Sequence, residues 1–276
     1  MDFNKLIHAK NKNAIAVVGV PSDENSSYLK GTAEAPQKII EAFHSGSTNL
    51  TVENGIDLSK DERIVELGNM NFTEDRNVIF QIEEQFDKIL EYNFKIISLG
   101  GDHAVSYPLT KSTAKKYDKI TILHFDAHPD LYDEFEGNKF SHACPFARVM
   151  EENLAVRMVS VGIRGMNAHQ REQAKKFGVE INEMKDWKGS IDFKFDTPIY
   201  ISLDMDVLDP GFAPGISHYE PGGLSPREVI SIIHKINQPI IGADIVELNP
   251  SRDINNITAM TAAKFLKEIA GKMILK

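Results

Sequence analysis

The feature that most constrains the fold is a series of short apolar, β-branched segments separated by stretches with helical spacing. Two of these segments, KIISLG at 95–100 and IYISLD at 199–204, are almost wholly apolar rather than alternating. Continuous apolar strands are typical of parallel sheets covered by helices, because neither face of such a sheet meets water. The pattern predicts an α/β fold: a three-layer α/β/α sandwich with a mainly parallel sheet of about eight strands.

The segments can be placed along the chain by their periodicity. The predicted strands are Ala14–Val20, Arg63–Leu67, Phe94–Leu99, Ile120–Phe125, Arg157–Val161, Val179–Asn182, Pro198–Leu203 and Ile240–Val246. The predicted helices are Thr73–Tyr92, Ala104–Lys116, Asn167–Phe177, Ser225–Ile236 and Asp253–Ala270. The polar stretch Ser45–Asp61 is expected to be a surface excursion. No repeat or long linker divides the chain, so we expect a single domain spanning residues 1–276.

Composition excludes several classes of function. The net charge of −9 and the absence of a dense Lys/Arg cluster argue against a nucleic-acid partner. No apolar stretch approaches the roughly 18 residues of a membrane span, and the start of the chain lacks a signal peptide's apolar core. The single cysteine, Cys144, cannot form an intrachain disulfide. We therefore expect a cytoplasmic protein that binds neither nucleic acid nor a membrane.

Chemistry-bearing residues follow three of the predicted strands. In open parallel sheets the ligand site lies beyond the carboxyl ends of the strands, so these junctions are the ones to inspect. The first, LGGDH at 99–103, turns on two glycines and delivers His103 near a helix start. The second, HFDAHPD at 124–130, brings together Asp126, His128 and Asp130, which would point one way if the chain stays extended.

The third junction, SLDMDVLDP at 202–210, places Asp204 and Asp206 on one face at a strand end. Two like charges at this position repel, so the pair implies either a shared proton or a bound cation. Together the junctions offer four carboxylates and two imidazoles, a set that suits two divalent ions sharing a bridging water. The hardness of these ligands and the lack of thiolates favour Mn²⁺ over Zn²⁺. The six candidate ligands are His103, Asp126, His128, Asp130, Asp204 and Asp206.

At these three motifs the chain resembles the ureohydrolase family, which includes arginases and agmatinases. GGDH, DAHPD and SLDMDVLDP are similar to its signature motifs in order and spacing. The similarity continues through Pro214, Gly215 and Gly223, and it includes GVPSD near the amino end and DIVELNP near the carboxyl end. It therefore covers nearly the whole chain.

The resemblance implies a binuclear manganese hydrolase, with two Mn²⁺ per subunit, that cleaves a guanidino or related amidino group. It assigns one Mn²⁺ to His103, Asp126, Asp130 and Asp204, and the other to Asp126, His128, Asp204 and Asp206. It also implies that Asp130 relays the proton of the nucleophile and that His142 shuttles protons near pH 7. Glu247 would pair with the planar guanidinium of the substrate. By the same resemblance we expect a homo-oligomer, a trimer or a hexamer.

The substrate is less constrained than the metal chemistry. Arginases carry an asparagine two residues after the last aspartate of the DAHxD motif, where this chain has Tyr132, and this difference disfavours arginine. The following segment resembles the agmatinase-like branch. Its Asp133, Glu134 and Glu136 could attract a distal ammonium group or simply be solvated charges. The prediction is hydrolysis of agmatine to putrescine and urea.

Several alternatives stay open. Formimidoylglutamase shares the metal motifs, but its dianionic substrate needs basic groups, for which Arg164 is the evident candidate unless it is structural. Guanidinobutyrase and guanidinopropionase remain alternatives because Ile216–Glu220 departs from the GTGTPE that is common in the family. A non-catalytic, metal-binding member is a further alternative, although every ligand position is filled. His124 is expected to be a satisfied core histidine or to support the ligands, and Cys144 to be a small apolar residue of the cleft wall.

Overall fold

A single parallel sheet organises the protein. The structure, a computed structural model, describes residues 1–8, 14–191 and 193–275. Within these residues the strands are β1 Ile15–Val20, β2 Ile64–Asn69, β3 Lys95–Gly100, β4 Thr121–Phe125, β5 Arg157–Ile163, β6 Glu180–Glu183, β7 Ile199–Asp204 and β8 Ile240–Val246. These eight strands lie in the order β2-β1-β3-β8-β7-β4-β5-β6, and every neighbouring pair is parallel. The predicted fold class is confirmed.

Helices cover both faces of the sheet, since strand residues alternate between two separate apolar cores. Ile15 and Val17 of β1 belong to the core under α2, α7 and α8, whereas Ala16 and Val18 belong to the core under α1 and α3–α6. The helices are α1 Asn4–His8, α2 Ala35–Phe43, α3 Val78–Leu90, α4 Ser106–Lys116, α5 Pro145–Glu151, α6 Ala168–Phe177, α7 Pro226–Lys235 and α8 Ile257–Leu275. None of the described helices is long and apolar enough to span a membrane.

The helices depart from the sequence prediction more than the strands do. Residues 35–43 and 145–151 form α2 and α5, which were not predicted. Both are short and carry proline in the first turn, a position that proline tolerates because the N–H there has no helical partner. The last helix begins at Ile257, not Asp253, because the Asp253 carboxylate accepts hydrogen bonds from the backbone N–H groups of Thr258 and Ala259 and so precedes the helix. That the chain is a single domain stays a prediction.

The segment Ser45–Asp61 is only partly the surface excursion that its polarity predicted. Val52 and Leu58 are buried in the core beside α8. Val52 lies against Gly271, where a Cβ atom would approach its side chain to 2.8 Å. Two apolar residues in a polar stretch therefore dock the loop, a contact that periodicity does not reveal.

The turn after β3 requires glycine for a steric reason. A Cβ atom on Gly101 would lie 1.8 Å from the carbonyl oxygen of Ser22, which itself accepts a hydrogen bond from Asp102 N–H. The chain can leave the strand at this point only because no side chain is present. This close approach to the loop after β1 places His103 over the end of the sheet.

Helix α7 begins with a capping box that allows a stability test. Ser225 Oγ accepts from the Glu228 N–H, and the Glu228 carboxylate accepts from Ser225 N–H. We expect Ser225→Ala to lower the free energy of unfolding by about 1 kcal/mol, because it leaves a helix N–H without a partner. Chemical denaturation measures the change. Ser231→Ala, on the exposed side of the same helix, is the control and should stay within about 0.5 kcal/mol of the parent.

Candidate metal centre

The sheet order brings the predicted site residues together. The four adjacent central strands β3, β8, β7 and β4 end respectively before the segments that carry His103, Glu247, Asp206 and Asp126. These residues are far apart in sequence, but their strands are parallel neighbours, so their carboxyl ends meet at one edge. All six candidate ligands lie there in two contiguous groups, which we call the metal groups: His103 with Asp126, Asp130 and Asp204, and His128 with Asp126 and Asp206.

His103 is the centre of the first group. Its Nδ1 lies 3.1 Å from Asp126 Oδ2, 3.0 Å from Asp130 Oδ2 and 3.1 Å from Asp204 Oδ2. The atom is buried and makes no hydrogen bond to any residue that the structure describes. A buried nitrogen without a hydrogen-bond partner destabilises the folded state, so its presence calls for an explanation. Together with the three carboxylate oxygens around it, this nitrogen forms the donor set of a hard divalent cation.

The other ring nitrogen of His103 fixes its tautomer. Ser202 Oγ donates to Asp244 Oδ1 at 2.6 Å, so this hydroxyl is free to accept from His103 Nε2–H at 3.0 Å. Asp244 in turn accepts from the Tyr200 hydroxyl at 2.7 Å. The Nε2 proton is therefore engaged by Ser202, and Nδ1 is the ring nitrogen that faces the three carboxylates. Hydrogen bonding of this kind orients metal-binding histidines.

His128 and Asp206 form the second group together with Asp126. His128 Nδ1 lies 3.0 Å from Asp206 Oδ2 and 3.5 Å from Asp126 Oδ1. These three residues can offer one ligand atom each to a single ion. Asp126 thus faces both groups, one with each carboxylate oxygen, which is the arrangement of a bridging ligand.

The chain does not stay extended through the second motif, as the sequence analysis supposed. Asp130 has a φ of +49°, in the left-handed region that non-glycine residues seldom adopt. Its carboxylate nevertheless lies 3.0 Å from His103 Nδ1. The strained conformation, not strand alternation, brings the third residue of the motif to the site.

Electrostatics indicate that the site needs a cation. Burial, together with the neighbouring carboxylates Asp206 and Asp126, raises the pKa of Asp204 well above its usual range. Burial and Asp126 also raise the pKa of Asp130. Both side chains are almost completely buried. Divalent cations would allow these carboxylates to stay ionised together, so the residues present fit a metal pair.

His124 supports the ligands instead of joining them. Its Nε2–H donates to Asp126 Oδ2 at 2.9 Å, and its Nδ1 accepts from the Ser160 hydroxyl at 3.1 Å. Both ring nitrogens are therefore used within the protein, although His124 lies close enough to His103 and Asp126 to complete a ligand group. It holds one Asp126 oxygen in place.

His142 and Glu247 form a buried pair beside the metal groups. His142 Nδ1–H donates to Glu247 Oε1 at 2.8 Å, and His142 Nε2 lies 2.8 Å from Ser27 Oγ. Burial alone would lower the pKa of His142, but the Glu247 carboxylate more than offsets it and raises this pKa to about 9. The raised pKa favours the protonated imidazole at neutral pH, and Ser27 holds the ring at Nε2 with its backbone nitrogen, 3.3 Å away, as well as with its hydroxyl group.

Glu247 keeps one oxygen available. Its Oε1 also accepts from His103 N–H at 2.9 Å, while Oε2 makes no hydrogen bond within the described chain. The residue has a φ of +64°, a second strained non-glycine position at this site. A fixed carboxylate with a free oxygen facing the cleft can accept N–H groups from a cationic ligand.

The metal groups open into a cleft with a volume of about 180 Å³ that is partly open to solvent. Its walls include Ser27, Phe135 and Gln170, to which the sequence analysis assigned no role. Only their proximity to the motifs could have suggested them. His218, from the segment that departs from the family pattern, also lines the cleft.

Cys144 is buried, and burial raises its pKa to about 12, so it acts as an apolar residue.

The structure shows whether the charged residues considered in the sequence analysis face the cleft. Arg164 donates to the backbone oxygens of Asp206, Leu208 and Glu220, so its guanidinium joins loops and is not free for an anionic substrate. The acidic residues Asp133, Glu134 and Glu136 are solvent-exposed and do not line the cleft. Neither Arg164 nor the acidic residues supply charge to the site. This weakens the case for formimidoylglutamate as the substrate and removes one reason to expect agmatine.

Removal of Ser202 tests the support behind His103. We expect Ser202→Ala to weaken Mn²⁺ binding about 10- to 100-fold, since His103 Nε2 and Asp244 each lose a partner. Competition with a chelator measures the affinity. Ser98→Ala is the control, because Ser98 lies on β3, which β8 separates from β7, and its hydroxyl makes no hydrogen bond to any described residue. Unchanged affinity in Ser202→Ala would contradict the orienting role.

Comparison with known proteins agrees with the site geometry. The model of the arginase family matches residues 13–271. Arginase 2 of Arabidopsis thaliana is 45% identical over 95% of this chain and 81% of its own length. The agmatinase of Bacillus subtilis is 33% identical over 91% and 89%. Arginase from Medicago truncatula superposes with a TM-score of 0.92 at 38% identity, over 98% of this chain and 92% of that one. The chain therefore belongs to the arginase family.

Proposed function

We propose that the protein is a metal-dependent hydrolase of a guanidino compound, releasing urea and an amine. The convergence of three carboxylates on the unpartnered Nδ1 of His103 carries this proposal. The cofactors would be two Mn²⁺ per subunit, which His103, Asp126, His128, Asp130, Asp204 and Asp206 would hold, as the family resemblance implies. When bound, the ions supply a water whose pKa is lowered toward neutrality as the nucleophile.

Glu247 is proposed to position the guanidinium. Its Oε2 is free to accept an N–H of the substrate, while the bonds at Oε1 hold the carboxylate still. The strained φ of +64° at this residue supports a site that is preorganised at some cost to stability. The reacting carbon is thereby held next to the carboxylates of the metal groups.

His142 is proposed to supply the proton that the leaving amine needs. Its pKa of about 9 makes it a proton donor at neutral pH. Ser27 and Glu247 fix its ring beside the cleft. Asp130 lies within 3.0 Å of His103 and is proposed to accept and relay the proton of the nucleophile. Each proton then has a defined acceptor or donor within the site.

Arginine is the substrate that the similarities favour. The plant arginases are 41–45% identical to this chain, whereas the B. subtilis agmatinase is 33% identical. Agmatine is the second candidate, because the residues that line the described cleft include no lysine or arginine to bind a carboxylate as an ion pair. A cytoplasmic homo-oligomer, as a trimer or a hexamer, stays a prediction.

Substitution of ligands and of the proton donor should have different effects. We expect Asp126→Asn and Asp204→Asn to abolish both activity and Mn²⁺ retention. His142→Asn should lower turnover about 10²- to 10⁴-fold while the metals stay bound. Urea release and metal analysis of the purified variants measure the two effects. Equal metal loss in His142→Asn would remove His142 from the proton-donor role.

The pH dependence provides an independent test of His142. Since its pKa is raised to about 9, the donor is protonated below this pH and loses its proton above it. Turnover at saturating substrate should therefore fall as pH rises through about 9. A kcat profile from pH 7 to 10 measures the decline. If His142→Asn retains the same decline in its residual activity, another group is responsible for it.

The substrate is tested by urea release from arginine, agmatine, 4-guanidinobutyrate and 3-guanidinopropionate with Mn²⁺-loaded protein. Formamide release from formimidoylglutamate is measured alongside. We expect arginine to be hydrolysed with the highest kcat/KM. A higher value for agmatine would confirm the sequence prediction of agmatine hydrolysis, and the absence of any turnover would contradict the proposed function.

A further inference from the structure

We propose that Ser27, His142 and Glu247 form a serine–histidine–glutamate triad, which gives the cleft a second activity: hydrolysis of small activated esters through acylation of Ser27. The three residues line the cleft and come from the segments after β1, β4 and β8, and none of them is a candidate metal ligand. The inference goes beyond the proposed function and does not require that a guanidino compound is hydrolysed.

The three side chains are hydrogen-bonded in series. Ser27 Oγ lies 2.8 Å from His142 Nε2, and His142 Nδ1 lies 2.8 Å from Glu247 Oε1. A hydroxyl group, a base within hydrogen-bond reach of it and a carboxylate that orients the base are the parts of an activated serine nucleophile. Such a triad is defined by geometry and not by order along the chain, so no local sequence pattern shows it.

The partners of the imidazole suit the role of a base. The Glu247 carboxylate accepts from His142 Nδ1–H, and Ser27 N–H approaches Nε2 at 3.3 Å. Because a backbone amide can only donate, this contact favours the neutral ring, whose Nε2 lone pair can take the proton of the Ser27 hydroxyl group. Since the pKa of His142 is raised to about 9, the neutral ring predominates above that pH.

Ser27 is accessible to a reagent. The residue is exposed and lines the cleft, and its hydroxyl group bonds to no described residue other than His142. The backbone N–H of Tyr28, the residue after Ser27, makes no hydrogen bond to any described residue. In α/β-hydrolases the N–H at this position helps to stabilise the oxyanion that forms when the serine attacks a carbonyl group.

Aromatic rings beside Ser27 favour an aryl leaving group. The ring centroid of His218 lies 5.3 Å from that of His142 and 5.3 Å from that of Tyr28. Phe135 lines the same cleft, whose volume of about 180 Å³ admits only a small substrate. An aryl group can stack on these rings, and a phenolate leaves more readily than an alkoxide. The substrate class is therefore an aryl ester of a small carboxylic acid.

Each bond and proton of the reaction is accounted for. Ser27 Oγ forms a bond to the ester carbon while its proton passes to His142 Nε2. The bond from this carbon to the aryl oxygen breaks, and His142 returns the proton to the departing phenolate. A water molecule then gives a proton to His142 and hydrolyses acyl-Ser27, which restores the hydroxyl group, while Glu247 stays ionised throughout.

Covalent labelling with diisopropyl fluorophosphate tests the triad, because Ser27 Oγ would displace fluoride and form a stable phosphate ester. The Mn²⁺-loaded protein is labelled above pH 9, where His142 can accept a proton, and peptide mass spectrometry identifies the labelled residue. We expect the label on Ser27, at a rate that falls at least about 100-fold in His142→Asn. Glu247→Gln should slow the labelling by a smaller factor, because Ser27 still holds the ring.

The matched control is Ser26→Ala. Ser26 precedes Ser27 directly, but its hydroxyl group donates to Asp102 Oδ2 at 3.5 Å and does not contact His142. We expect this variant to be labelled on Ser27 at the rate of the parent protein. Thermal melts of all variants check that each is folded.

Release of p-nitrophenol from p-nitrophenyl acetate separates the triad from the metal groups. We expect release in the Mn²⁺-loaded protein and after chelation alike, with an acetyl group on Ser27, and loss of both in Ser27→Ala. Ester hydrolysis that disappears with the metal, a label on another residue, or equal labelling rates in the parent and in His142→Asn would each overturn the triad. These outcomes are independent of urea release, which tests the proposed function.

Discussion

The electrostatic conflict at the carboxyl edge of the sheet is the constraint on which the rest of the structure depends. Asp126, Asp130, Asp204 and Asp206 are each at most 6% exposed, and burial together with repulsion from Asp206 and Asp126 raises the pKa of Asp204. Buried like charges at this spacing require neutralisation, and a metal pair provides it without using protons. The orphaned Nδ1 of His103 within the same group supports that interpretation.

The layers behind the site hold this arrangement in place. Ser202, Asp244 and Tyr200 form a buried hydrogen-bonded chain across β7 and β8 that sets the tautomer of His103. His124 fixes one oxygen of Asp126 from β4. These contacts come from strands in the middle of the sheet, where both faces are packed. The metal groups are therefore the rigid part of the cleft, and specificity falls to the loops and helix ends at its rim.

The rim of the cleft shows that local pairing decides which groups are available to a ligand. Near the metal groups the cleft presents the free oxygen of Glu247, an acceptor that suits a guanidinium. Gln170 and Tyr132 line the cleft at the start of α6, where both are hydrogen-bonded to Asn167. The exposed acids of the loop after β4 do not contribute, and Arg164 is engaged by backbone oxygens.

The sequence by itself determined the strands, the fold class and the six residues at the metal groups, because continuous apolar runs and strand-end motifs have strong local signals. It did not determine α2 and α5, which are short, or the docking of Val52 under α8. Only the tertiary structure decided which residues line the rim. Ser27 and Gln170 reach the cleft because the order of the strands and the start of α6 bring distant segments together, and the hydrogen-bond partners of Ser27 depend on which segments surround it. Such partners are a property of three-dimensional packing, which one sequence does not encode in any local pattern.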